Sequence, residues 1–288
     1  MLTTLRAQTA SFDLVIAPGD VVQSLIDEEL IQQLDASRIP NQANITVGPQ
    51  VISVPLDYLV PYQWGTIGIA YDTTIVSEPI TSWDGFLAYE GRVAWVDDGR
   101  LMLSIALSKL GYPLASIDEA QLQEAADYLL TVPNNDVFAV SANNQTNLLL
   151  QGEVDAIVDR SRNVLRLIQD CECEDFAYSL PEDGFLAYYD AMVVPANAQN
   201  ATLAHAFMDY ILVPQVNANL SNALGSATPV IEAYALVDEA ILNNGVSYVT
   251  AEFLQAYLSG EAVVVEQYGQ RLDLYLDEWT RVKGELVN

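Results

Sequence analysis

The sequence predicts an α/β fold with mainly parallel sheets. Short apolar runs of strand length alternate along the chain with longer segments whose apolar residues recur at helical spacing. An apolar fraction of 51% over 288 residues is enough to fill one large core or two of ordinary size. No internal repeat and no low-complexity linker interrupts the pattern.

The elements follow in order. Phe12-Asp-Leu-Val-Ile-Ala17 reads as a buried strand, with Asp13–Ala17 as its extended part. Val21–Leu34 carries apolar residues at 21, 22, 25, 26, 30, 31 and 34, one face of a helix. Tyr62–Tyr71 is strand-like with a break at Gly65, and Arg92–Val96 is a strand ending in Asp97-Asp98-Gly99. Leu101–Leu110 reads as a helix closed by Gly111, because glycine accepts the left-handed conformation that ends a helix. Asp118–Leu130 is a second amphipathic helix. Val137–Val140, Ala156–Val158 and Ala191–Val194 read as strands, and Thr202–Leu212 and Pro229–Leu242 as helices. Tyr248–Tyr257 and Gln267–Val282 add helical segments.

Charge excludes several functions. Eleven basic residues (two lysines, nine arginines) stand against 39 acidic ones, a formal net charge of −28. Such a surface repels phosphate backbones, so no nucleic-acid partner is expected. It favours cationic ligands, although solubility or a saline habitat accounts for the same excess. No uncharged apolar stretch reaches the ~18 residues of a membrane span. The chain lacks a Walker A loop, a Gly-x-Gly-x-x-Gly run, a His-Glu-x-x-His pair and a Gly-x-Ser-x-Gly elbow. The single histidine, His205, falls mid-helix in Leu203-Ala-His-Ala-Phe-Met208 and reads as a partly buried helix residue rather than a catalytic base. No enzyme activity, cofactor or metal is expected. Cys171 and Cys173 in Cys-Glu-Cys-Glu-Asp read as part of a solvated acidic loop, since positions i and i+2 rarely reach disulfide geometry.

Several segments, in this order, carry a resemblance. They are Asp13-Leu-Val-Ile-Ala-Pro18, Val60-Pro-Tyr-Gln-Trp-Gly-Thr-Ile-Gly-Ile69, Thr81-Ser-Trp-Asp84 and Asp97-Asp98 with the later Ser108-Lys-Leu-Gly-Tyr112. Gln151-Gly-Glu-Val-Asp155, Tyr188-Tyr-Asp-Ala-Met-Val-Val-Pro-Ala-Asn-Ala-Gln-Asn200 and Ala223-Leu-Gly-Ser-Ala-Thr-Pro229 complete the set. Together they resemble the spermidine/putrescine-binding solute receptors of ABC transporters, a branch of the type II periplasmic binding proteins, over nearly the whole chain. The resemblance implies two α/β lobes with the ligand in the cleft between them. Mapped here, residues 1–65 and 189–235 form the first lobe, and residues 66–188 and 236–288 the second. It also implies a monomeric, non-enzymatic receptor that takes a polyamine and delivers it to the permease subunits of an ABC transporter.

Members of that family begin with a leader, then a strand and a helix that precede the Asp13–Ala17 strand. Met1-Leu-Thr-Thr-Leu-Arg6 has no apolar leader core, so either the protein is cytoplasmic or its start is missing. The second case implies a periplasmic or extracellular protein, lipid-anchored or not, with an exposed apolar strand edge in the first lobe.

Polyamines are ammonium groups separated by methylenes. Carboxylates must replace the water around each ammonium, and aromatic walls suit the methylenes and add cation–π attraction. By position, Asp98 and Asp190 match family carboxylates and Tyr188 matches an aromatic wall. Two residues apart on a strand, Tyr188 and Asp190 share one side. The residue-level alternatives are a helix N-cap for Asp98, a core aromatic for Tyr188, a surface charge for Asp190 and packing rather than ligand contact for Trp64. The chain also departs from the family. Leu101 replaces an acidic residue, and Ser226 stands where an aromatic is common. Asp159-Arg160-Ser161-Arg162-Asn163 replaces a tryptophan-containing run, bringing Asp159, Arg160 and Asn163 into the expected site, and Asp20 adds a carboxylate to its mouth. Unless Arg160 pairs with Asp159 or Asp98, it would repel an amine and attract a carboxylate. The alternatives are thus an amino acid-like or other zwitterionic or anionic solute held by Arg160, or a fragment that binds nothing.

Overall fold

A computed structural model describes residues 2–7, 11–45, 54–114, 116–132, 137–141, 144–182, 186–243 and 271–286. The chain divides into two compact units, Met1–Gly65 with Ala187–Glu261 and Thr66–Leu186 with Ala262–Asn288. Residues 236–243, expected in the second lobe, belong to the first unit, where the Asp238 N–H donates to Asn222 Oδ1 at 3.0 Å.

In the first unit, α1 (Leu2–Ala7) leads to β1 (Val15–Pro18) and α2 (Gly19–Asp27). β1 runs antiparallel to β7 (Leu186–Val193), from Val15 opposite Val193 to Pro18 opposite Asp190. The expected buried strand is only partly buried: Ala17 is fully enclosed, whereas Phe12 is 42% and Ile16 43% exposed. β1 ends the strand order and, among the described strands, pairs with β7 alone. α2 stops short of the expected Leu34 because Glu29 adopts a left-handed backbone (φ 53°), and Ile31 then bridges to Pro195. α8 (Ala201–Ile211) and α9 (Pro214–Leu224) follow β7. Asp13 fastens the start of α8, accepting N–H bonds from Gln199 and Asn200 at 2.8 and 2.7 Å. His205 is buried, its Nε2 accepting the Asp35 N–H at 2.9 Å and its Nδ1 2.6 Å from the Ala201 carbonyl oxygen. The expected Pro229–Leu242 helix is instead a 3-10 turn, Ile231–Leu236, and a short α10 (Glu239–Leu242), parted by extended Val237 and Asp238.

The second unit is built on β2 (Val60–Asp72), which begins in the first unit and runs without interruption through Gly65, where a break was expected. Its second half pairs antiparallel with β5 (Ala156–Arg160) and β6 (Phe176–Ser179). β3 (Val93–Val96) lies parallel to both β4 (Val137–Ser141) and β5. The expectation of mainly parallel sheets therefore describes β4–β3–β5, and the described pairing as a whole is mixed because β2 adds antiparallel partners. α3 (Trp83–Leu87), α4 (Gly99–Lys109), α5 (Glu119–Thr131), α6 (Gln145–Leu150) and α7 (Ser161–Cys171) connect these strands. Asp118 caps α5 through the N–H groups of Ala120 and Gln121, and Gly111 turns with φ 77° after α4. The sequence reading missed α1, α3, α6, α7, α9 and β6. The expected Tyr248–Tyr257 helix lies outside the described residues.

The last helix, α11 (Leu272–Leu286), packs on α4 and α5. Trp279 stacks on buried Trp95 with ring centroids 6.5 Å apart, and its Nε1 donates to Asp97 Oδ1 at 2.7 Å. Lys283 Nζ meets the same oxygen at 2.8 Å. Burial pushes the Asp97 carboxyl up, but the Lys283 and Trp279 bonds outweigh it and leave the group below the usual carboxylate range. The close fit of α11 requires a glycine at the start of α4, since a Cβ on Gly99 would lie 2.4 Å from the Trp279 Cβ. Gly99→Ala is accordingly expected to destabilise the protein by about 1–3 kcal/mol, as overpacked cores do. Denaturant unfolding followed by tryptophan emission measures it, and unchanged stability would contradict this packing.

The cysteines correct the sequence reading: Cys171 and Cys173 are joined in a disulfide rather than lying apart in a loop. α7 ends at Cys171, and Glu172 takes a left-handed conformation (φ 52°, ψ 36°) that turns the chain back. The two Cα atoms are then 5.1 Å apart, within the range a disulfide spans.

Candidate functional site

In the first unit, β7 places Tyr188 and Asp190 half-buried on one side of the strand and buried Tyr189 on the other. Tyr189 locks the β1–α2 corner, donating its hydroxyl to the Gly19 carbonyl at 3.2 Å. A Cβ on Gly19 would lie 2.2 Å from the Tyr189 ring, so the corner requires glycine. The register sets Asp190 opposite Pro18, two residues before Asp20 in the first turn of α2. There the helix dipole favours a carboxylate. Tyr62 on β2 lies near enough to Asp190 to sense its charge. Burial first, then the Asp190 carboxylate, pushes the Tyr62 phenol above its usual range.

Ser226 is fully buried next to the bridge between Trp64 and Ala227. Trp64 is packed, with its Nε1 donating to the Thr228 carbonyl at 2.9 Å. Gln63 is buried beside it, and both of its amide atoms and Ser226 Oγ have no hydrogen-bond partner among the described residues. Sequence reasoning missed Tyr62 and Gln63. The available signal was a polar amide among the aliphatic and aromatic residues of Val60–Trp64.

In the second unit, the candidate residues gather at the carboxyl ends of parallel β3 and β5, where open α/β sheets bind ligands. Asp98 is the N-cap of α4, and its Oδ1 accepts the N–H groups of Arg100 and Leu101 at 3.2 and 3.3 Å. The same oxygen is 3.4 Å from Arg100 Nε, and Oδ2 is 3.6 Å from Arg160 Nη2. Two guanidinium groups thus flank one carboxylate, and Arg100 was not foreseen.

Asp159 is 4% exposed, and its Oδ1 accepts the Arg160 N–H and Asn163 Nδ2, both at 2.7 Å. Asp159 and Asn163 line a cavity of about 310 Å³ between α6 and α7, with Asn147, Leu150, Arg166 and Cys171 also on its walls. Successive strand residues face opposite sides, so Arg160 turns to Asp98 while Asp159 turns to this cavity. The structure therefore gathers Asp98 with Arg160, and Asp159 with Asn163, as two groups. No cluster of three or more potential metal-ligating His, Cys, Asp or Glu side chains occurs among the described residues.

Burial raises the Asp159 carboxyl above its usual range, outweighing the two hydrogen bonds and the nearby Arg160 and Arg162 charges that lower it. A carboxyl raised in the folded state makes its ionised form costly. That cost is present above the folded pKa and relieved as pH falls through it. Asp159→Asn keeps an acceptor oxygen for both donors. It is expected to raise the melting temperature at neutral pH by on the order of 2 °C, with a smaller gain in mild acid. Calorimetry at both pH values checks this, and a lower melting temperature would contradict it.

A profile described as bacterial extracellular solute-binding protein matches residues 1–246. The chain is 27% identical over 274 residues to the spermidine/putrescine-binding periplasmic protein of Escherichia coli, covering 91% of this chain and 77% of that one. It is 29% identical over 302 residues to the putrescine/agmatine-binding protein of Pseudomonas aeruginosa, with 97% and 80% covered. Among solved structures it resembles the spermidine/putrescine ABC transporter substrate-binding protein PotD of Streptococcus pneumoniae, with a TM-score of 0.81 at 25% identity, covering 99% of this chain and 88% of that one. A putative spermidine/putrescine ABC transporter protein of Listeria monocytogenes gives a TM-score of 0.83 at 25% identity, with 98% and 87% covered.

Proposed function

The chain belongs to the bacterial extracellular solute-binding proteins and has the type II periplasmic binding fold, and from that premise we propose that it binds a polyamine of the putrescine or spermidine kind. It acts outside the cytoplasm and hands its ligand to the permease subunits of an ABC transporter. The family is one of solute-binding transport components, not of enzymes.

The observation that carries this reading is the Asp190 group of the first unit. A half-buried carboxylate shares its strand face with Tyr188 and lies near the Tyr62 phenol. A carboxylate among aromatic rings answers both parts of a polyamine: it replaces water around an ammonium, and the rings cover the neighbouring methylenes. The relatives named for spermidine, putrescine and agmatine support the same ligand class. The amino acid-like alternative would ask Arg160 to bind a carboxylate, and Arg160 already faces that of Asp98.

Calorimetric titration with putrescine, spermidine and spermine tests the proposal. Binding of at least one is expected, and Asp190→Asn should weaken it by about 10- to 100-fold, or roughly 1.4–2.8 kcal/mol. A folded protein that takes up none of the three would overturn the reading.

A further inference from the structure

We propose that the cavity between α6 and α7 is a second binding site, which takes a small aliphatic primary ammonium on Asp159. Its lining residues all belong to the second unit, and the inference does not rest on the polyamine reading of the Asp190 group. Asp159, 4% exposed, forms the enclosed end. Both described hydrogen bonds to its side chain fall on Oδ1, from the Arg160 N–H and from Asn163 Nδ2. Oδ2 accepts none among the described residues, and a carboxylate oxygen withdrawn from water requires a donor.

The neighbouring polar groups offer oxygens in their turn. Asn163 commits its Nδ2 to Asp159, and Asn147 commits its Nδ2 to Asn144 Oδ1 at 3.0 Å, so each amide has its carbonyl oxygen left to offer. Thr146 adds a hydroxyl. A lining rich in acceptors suits an ammonium, which carries three donors and no acceptor. Arg166 also lines the cavity, but Asp170 Oδ2 meets it at 3.4 Å. With side chains 80% and 72% exposed, that pair lies at the solvent end and its charges cancel. Arg160 and Arg162 are close enough to lower the Asp159 carboxyl, yet burial outweighs them. Buried Leu167 and the partly exposed Leu150 give a short hydrocarbon stem an apolar wall. From Asn163 to Asp170, α7 advances about 10 Å, which limits an enclosed stem to a few methylenes. A volume of about 310 Å³ is the share of about ten waters, too large for a bare ion and suited to a small organic molecule.

The test follows the side-chain amide of Asn163 by NMR in the full chain, its signal identified by its loss in Asn163→Ser. The probe is n-butylammonium chloride. Tetramethylammonium chloride at matched ionic strength is the control, since it has the charge but no N–H donor. A saturable shift with n-butylammonium alone is expected. Asp159→Asn, which keeps an acceptor for both internal donors, should weaken that binding at least about 10-fold, the loss of a charged hydrogen bond. Asp190→Asn should change it less than about 3-fold. A shift that fails to saturate, that tetramethylammonium reproduces, or that survives Asp159→Asn overturns the site. A shift abolished by Asp190→Asn overturns it too and assigns the amine to the first unit. A saturable shift that depends on Asp159, in a protein that takes up no polyamine, supports this site and defeats only the reading of the Asp190 group.

Discussion

A charged group removed from water must find opposite charge or hydrogen-bond donors close by, and this constraint organises the polar parts of both units. Asp98 meets it twice, as the cap of α4 and as the partner of Arg100 and Arg160. Asp97, one residue earlier, meets it through Lys283 and the Trp279 indole, which tie α11 to the end of β3. Adjacent aspartates on one turn thus serve different ends: one holds the unit together and the other sets the charge at the carboxyl edge of the sheet. Asp159 meets the requirement least well. Its two hydrogen bonds do not offset its burial, and it is the carboxylate of this group that the fold tolerates rather than favours.

The first unit is built differently. Its candidate residues are delivered by strand alternation: buried Tyr189 faces α2, so its neighbours Tyr188 and Asp190 must face the other way. Gln63 and Ser226 each directly precede a residue of the Trp64–Ala227 bridge. A buried amide without partners costs roughly 1–3 kcal/mol. Gln63 is therefore a costly residue in its place on β2.

Much of this architecture was legible because apolar periodicity and capping chemistry are local. The helix begun by Asp118 and the one closed before Gly111 follow from single residues with known backbone preferences. Tyr188 and Asp190 share a face for the simple reason that strands alternate. Other features depend on partners remote in sequence. Whether Arg160 would face a ligand or an internal carboxylate turned on Asp98, sixty-two residues away (160 − 98). The reach of α2 turned on a left-handed Glu29 that no composition rule demands, and the Cys171–Cys173 link on the same conformation at Glu172. α7 was hidden because its sequence, Ser-Arg-Asn-Val-Leu-Arg-Leu-Ile-Gln-Asp-Cys, drew notice as an altered segment rather than as an amphipathic helix with Val164, Leu165 and Leu167 buried.

The docking of α11 has a consequence for how the chain is made. Trp279 stacks on Trp95, and Tyr275 donates to the Ser116 carbonyl at 2.8 Å, so the core that surrounds β3 and α4 is closed by residues translated more than a hundred and fifty positions later. Residues 66–186 are separated from α11, their partner in the second unit, by the second stretch of the first unit, residues 187–261. The packing around Trp95 is complete only once α11 is in place.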